Sequence, residues 1–167
     1  MSDLLNKADI QPEIHEMIKQ KVYDNECKNA GQVICVLTFL PNIYESNAEE
    51  RNKYLASLTK VAKTQRSQPF NFFWAQSGDQ LDLERKMNLG FGYPAVVAIS
   101  PTKEVFATMR GSFNESNLNE FLTKVITGSA PTDKLFKGTM DEIKKADKWD
   151  GKDAAPIIEE PEEEEEE

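Results

Sequence analysis

Residues 90–99 read GFGYPAVVAI: two glycines and two aromatic residues crowd around Pro94, and an unbroken apolar run follows from Ala95 to Ile99. Turn residues at this density ahead of a strand mean that the backbone must take one particular shape there. An X–Pro bond is also the place where a cis peptide is accessible, at a cost of only about 0.5–1 kcal/mol. The elements on either side of Pro94 therefore decide what kind of sheet this turn serves.

Upstream, Val33 to Leu40 (VICVLTFL) is continuously apolar and β-rich, the pattern of a strand covered on both faces, and Pro41 stops it. Asn47 followed by Glu50 has the form of a capping box. It opens a helix with Tyr54, Leu55, Leu58, Val61 and Ala62 on one stripe, ending near Arg66. FNFFWA (70–75) reads as a second buried strand, and Asp79, in the turn Ser77-Gly78-Asp79, as the cap of a short helix through Leu83 and Met87.

Downstream, the turn 100–103 folds Glu104–Arg110 back as a hairpin. A last helix starts at the cap Asn114, stapled by Phe113 and Leu118, and ends at Gly128. At the other end of the chain, Ile10, Ile14, Met17, Ile18 and Val22 recur at helical spacing, so residues 9–25 are expected to form an amphipathic helix. His15, the single histidine, then falls on its polar side.

The order helix, strand, helix, strand, helix, strand, strand, helix gives an α/β three-layer sandwich, a central mixed sheet with helices on both faces. It is the order of a thioredoxin-like fold, with Pro94 at the position of that fold's cis-proline, before the strand at Ala95. The expected division is an N-terminal extension (1–8), a thioredoxin-like domain without a CxxC motif (9–128), a C-terminal extension (129–152) and a disordered acidic tail (153–167).

The net charge of −9 belongs to the tail. All 20 Lys and Arg and 20 of the 29 Asp and Glu lie at or before Lys152, so the body is neutral. A neutral body without a basic stripe excludes a nucleic-acid partner. The absence of an eighteen-residue apolar run excludes a membrane span, and MSDLLNKADI lacks the pattern of a secretory signal.

A redox site of this fold would lie between the first strand and the capping box, where the sequence PNIYESNAEE holds no cysteine. A dithiol catalyst needs two thiols a helical turn apart, the first activated by the helix N-terminus. The expectation is therefore that this chain is not an enzyme. Cys27 follows the first helix and Cys35 lies inside the first strand, and three readings stay open for them: a small structural disulfide, two buried free thiols, or a redox switch. One histidine cannot build a site of several His and Cys ligands. No nucleophile elbow or phosphate-binding glycine loop occurs, and the sequon at Asn114 is better explained by the helix cap.

Taken together, ICVLTFLPNIYES, RNKYL, FFWAQSGDQLDLE, GFGYPAVVAI, GSFNESNLNEFL and KWDGKD resemble the C-terminal, non-catalytic thioredoxin-like domain of the protein disulfide isomerase A6 family, over about Asn25 to Asp153. GFGYP and Trp149-Asp150-Gly151 are the most specific pieces. The resemblance implies a lumenal protein of the endoplasmic reticulum whose catalytic Cys-Gly-His-Cys domains precede residue 1. An oxidising lumen favours the Cys27–Cys35 disulfide among the three readings. It also implies an acidic end with low-affinity calcium binding, here Glu162, Glu163, Glu164, Glu165, Glu166 and Glu167, and no other cofactor. The family usually ends in a Lys-Asp-Glu-Leu type signal; this sequence stops in glutamates.

The function implied is assistance to an isomerase by binding unfolded or misfolded polypeptides, or a chaperone partner. In a catalyst of this fold the substrate strand lies along the cis-proline loop, so Ile43, Tyr44, Phe91, Tyr93 and Pro94 are the expected peptide-binding residues. The alternatives are a calcium-buffering lumenal protein and an inert spacer domain.

Overall fold

The apolar run that ends before Pro41 and the one that follows Pro94 pair with each other at the centre of a six-stranded mixed sheet. The computed structural model describes residues 12–90, 92–136 and 138–155. The strands are β1 (Ile14–Glu16), β2 (Ile34–Leu40), β3 (Phe70–Gln76), β4 (Ala95–Ser100), β5 (Val105–Thr108) and β6 (Asp133–Lys134). They lie in the order β1-β3-β2-β4-β5-β6. β3 runs parallel to both β1 and β2, while β4, β5 and β6 follow antiparallel.

Side chains alternate along each central strand, which is why neither reads as polar on alternate positions. Cys35, Leu37 and Phe39 of β2 and Ala95, Val97 and Ile99 of β4 enter one core. Val36, Val96 and Ala98 enter the other. The second core is closed by helices α2 (Ala48–Thr64) and α4 (Glu115–Thr127), through Leu58, Val61, Leu118 and Leu122. The first is closed by α1 (Gln20–Tyr23), by α3 (Leu81–Lys86) and by Leu135, Met140 and Ile143. The three-layer α/β sandwich is thus the observed fold.

Caps follow the sequence. Asn47 accepts from the backbone N–H of Glu50 at 2.8 Å, and Asn114 from that of Asn117 at 2.8 Å. Gly128 ends α4 at φ +81°, in the left-handed region where a side chain is strained. The Tyr93–Pro94 peptide is cis.

Two local expectations are corrected. The first concerns the helix over 9–25. Residues 9–11 lie outside the described residues, and 14–16 form β1, paired to Phe72–Trp74. Helical backbone begins only at Gln20 and widens into a π-helical turn over Asp24–Lys28. A stretch of few residues fits both periods, and pairing along the free edge of β3 decides it. His15 accordingly stacks near Phe73, with ring centroids 5.4 Å apart. The second concerns α3, whose N-cap is Gln80 and has no side-chain cap bond; Asp79 instead accepts from Gln76 Nε2 at 3.3 Å. Beyond Gly128 the C-terminal extension adds β6 and a 3-10 turn at Thr139–Asp141, then runs back across the body.

That return path is pinned by two glutamines, Gln80 buried and Gln20 half-buried. Gln80 donates to the Lys144 carbonyl and accepts from the Lys144 N–H, both at 2.8 Å. Gln20 does the same between Met140 O, at 2.8 Å, and Ile143 N, at 2.7 Å. The Ala146 N–H then reaches Ile18 O at 3.0 Å. Each pair satisfies backbone groups that no strand or helix serves.

Candidate functional site

α2 begins where β2 ends, so the N-terminus of the longest helix opens at the C-terminal edge of the sheet. The link between them, Ile43–Glu45, is a single 3-10 turn. Asn42 shapes it, accepting from Tyr44 N and donating to Ser77 O, each at 3.0 Å. Gln76 Oε1 accepts from Ile43 N at 3.0 Å. With both ends of the turn tied to polar groups, Tyr44 is left 66% exposed.

Beneath the turn lies Arg51, one turn into α2, with only 2% of its surface exposed. Its Nη2 donates to Pro41 O and to Gln76 Oε1, both at 2.8 Å. The guanidinium sits in the corner between two indoles, 5.1 Å from the centre of the Trp74 ring and 4.9 Å from that of Trp149. The two indoles meet edge-on at 6.2 Å. Arg51 Nε is buried without a hydrogen-bond partner. Burial lowers the Arg51 pKa, and the nearby charges of Asp79 and Glu16 resist that shift. Burial raises the Glu16 carboxyl above its ordinary range, against the opposing bond from Trp149 N–H. Asp79 is raised for the same first reason.

These groups line an open cleft of about 410 Å³, walled by Ile43 and Tyr44 on one side and by Trp149 to Ala155 on the other. Asp153 Oδ1 accepts from Ala48 N at 2.6 Å, at the first residue of α2. Among the described residues no group of three or more His, Cys, Asp or Glu side chains is placed to hold a metal ion.

The residues expected to bind peptide are therefore divided. Ile43 and Tyr44 line the cleft; Tyr93 and Pro94 lie outside its lining. Tyr93 donates its hydroxyl proton to Glu84 Oε1 at 2.5 Å, and Glu84, 3% exposed, also accepts from Gly78 N at 2.9 Å. Burial and the Glu84 carboxylate push the Tyr93 pKa up to about 12. Gly92 stands at φ +133°, a conformation that glycine alone adopts without strain. Phe91 and Glu162 to Glu167 lie outside the described residues. Arg51 and Trp149 were not among the expected site residues. A charged residue on an amphipathic helix reads as solvated face, and only the return of a segment about a hundred residues away buries it.

Cys27 and Cys35 form a disulfide, with Cα atoms 5.9 Å apart. It joins the π-helical turn to β2, and both residues are buried, at 0% and 1% exposure.

Sheet order, the cis-proline and the helix opening at the sheet edge define the class: a thioredoxin-like domain. The bb fragment of ERp72 matches it with a TM-score of 0.56 over 77% of this chain and 55% of that one, at 15% identity, which speaks for the fold alone. The family model described as PDIA6-like, C-terminal thioredoxin-like domain matches residues 5–130, and the chain belongs to that family. It is 38% identical to protein disulfide-isomerase 2-3 of Arabidopsis thaliana, over 95% of this chain and 35% of the relative. It is 34% identical to protein disulfide-isomerase A6 of Mus musculus, over 94% and 36%. The chain thus spans about a third of the length of these relatives.

One expectation is overturned here. The chain was expected not to be an enzyme because PNIYES holds no redox cysteines. It nevertheless carries a disulfide, Cys27–Cys35, and the relatives that it matches along its length are named protein disulfide-isomerases. The pair bridges a π-helical turn to a strand, not two positions one helical turn apart.

Proposed function

We propose that this chain is a polypeptide-binding domain of a protein disulfide isomerase, and that the whole protein exchanges disulfides in unfolded or misfolded substrates held in part on this surface. The observation that carries the reading is Tyr44, a large aromatic side chain left 66% exposed at the mouth of a cleft over the β1 and β3 side of the sheet. Exposed aromatic residues on a rigid turn supply contact area at small entropic cost, which suits a partner of variable sequence. Ile43 extends this surface within the cleft, Tyr93 and Pro94 continue it outside the cleft lining, and a chaperone partner would engage it by the same chemistry.

An oxidised, buried cysteine pair accords with an oxidising compartment, so the place of action in this reading is the lumen of the endoplasmic reticulum. The glutamates 162–167 offer hard oxygen ligands without a shaped loop, which suits calcium at about millimolar affinity.

Titration with a reduced, carboxymethylated unfolded protein, followed by backbone amide shifts, tests the binding surface. Shifts are expected at Ile43, Tyr44, Tyr93 and Ala95. Shifts confined to the opposite, β6 side of the sheet, or none, refute it.

A further inference from the structure

The wall of the cleft formed by residues 147–155 is made by no strand or helix. Its anchor is the Gln80–Lys144 pair and the Ala146–Ile18 backbone bond. Beyond Ala146 the segment reaches the body through the Trp149 ring on Arg51, the Trp149 N–H on Glu16 at 2.9 Å, and the Asp153 carboxylate on the Ala48 N–H at 2.6 Å. Its remaining bonds are internal. Trp149 Nε1 donates to Lys152 O at 3.0 Å, and Lys152 N donates to Asp150 Oδ1 at 2.9 Å, around Gly151 at φ +84°. KWDGKD is therefore a self-shaped hook that fills a site rather than an element of the sheet. Under it wait a guanidinium with an unpartnered buried Nε, an indole edge, and the first N–H of a 17-residue helix, where negative charge is favoured.

We propose that residues 148–153 are a built-in occupant of the floor beside this cleft, the surface formed by Arg51 and the first N–H of α2. The polypeptide segments that this floor takes in trans are of the same make: an aromatic residue that covers Arg51, followed four positions later by a carboxylate that reaches Ala48 N–H. This specificity rests on the polypeptide-binding reading above; the occupancy by the chain's own hook does not. An external segment competes with a tethered one, so its apparent affinity is reduced by the fraction of molecules with the hook in place.

The test uses the full chain, its Asp153→Asn variant and its Trp149→Ala/Asp153→Asn variant, with a blocked octapeptide of residues 148–155 as the probe. Amide shifts of Ala48 and Arg51 are followed. The octapeptide is expected to bind the double variant at least about tenfold more tightly than the parent, with Asp153→Asn between them. It is expected to move the Ala48 amide of the double variant back toward its parent position. A probe with alanine at the Trp149 position should bind the double variant about tenfold more weakly. Equal affinity for parent and variants, or shifts that miss Ala48 and Arg51, overturns the proposal. Asp153 is exposed, so its single variant keeps the test valid if the double variant fails to fold. The two readings fail separately. A carboxymethylated unfolded protein that binds parent and variants alike removes the hook and leaves the polypeptide surface. One that binds neither, while the octapeptide binds the double variant, removes the polypeptide reading and leaves the hook.

Discussion

Arg51→Ala attacks the group on which the cleft is assembled. The substitution removes two bonds from a charged donor, to Pro41 O and Gln76 Oε1, worth about 1.5–3 kcal/mol each. It also removes two contacts with indole rings, worth about 0.5–2 kcal/mol each. Against these stands the cost of holding a guanidinium away from water with Nε unpaired, several kcal/mol, which the variant is spared. The balance is a loss of about 2–4 kcal/mol in urea unfolding, read by far-ultraviolet dichroism. Arg51→Lys keeps the charge but neither the fork nor the flat stacking surface, so it should recover less than half of that loss. Because Trp149 rests on the guanidinium, hydrogen exchange at residues 147–153 should quicken in both variants while that of β2 and β4 changes only with global stability. An Arg51→Ala variant within about 0.5 kcal/mol of the parent would refute the reasoning. So would full rescue by lysine.

Three further outcomes follow from the same geometry. Replacing Cys27 and Cys35 by alanine should cost about 2.5 kcal/mol from loop closure across a separation of eight residues. Because both sulfurs are buried, dithiothreitol should reduce the pair in the folded chain only as fast as the structure opens; reduction at the rate of an exposed disulfide, with the fold intact, contradicts this. Glu16 and Asp79 have pKa values raised by burial, so the folded chain holds protons that the unfolded chain has already released. Their contribution to stability is full below the unfolded values and declines as pH rises through the folded ones. A Glu16→Gln/Asp79→Asn variant should therefore gain on the parent as pH rises from the ordinary carboxylate values through the raised folded ones, and a gap that narrows over that rise argues against burial as the cause. Changing Glu162–Glu167 to glutamine should abolish most calcium uptake seen by calorimetry at about millimolar calcium; unchanged uptake clears the tail of that role.

What could be read from residues alone was whatever rests on short-range chemistry. Asn47, three residues before Glu50, and Asn114, beside Phe113 and Leu118, announce their helices because a cap is satisfied within one turn. The runs 33–40 and 95–99 announce a doubly covered sheet, and Gly92 and Pro94 its special turn. The losses lie where distant segments decide. Ile14 to Glu16 fit a helix until the edge of β3 is available to pair with them. The two residues of β6 are too few to leave a pattern. Arg51 reads as solvated until Trp149 returns to cover it, so half of the candidate site, Ile43 and Tyr44, was legible and its charged floor was not. The cysteine pair was visible, but its joining of a π-helical turn to a strand depends on backbone that periodicity does not describe.

The claim that this surface holds unfolded polypeptide is tested most directly by the affinity of a carboxymethylated unfolded protein for the parent chain and for Tyr44→Ser. Tyr44 is exposed, so its loss leaves the fold intact and removes the aromatic contact at the mouth of the cleft. The account predicts binding at least about fivefold weaker in the variant, the cost of one exposed aromatic anchor. Equal affinity, with amide spectra that superpose away from the turn Ile43–Glu45, would contradict it.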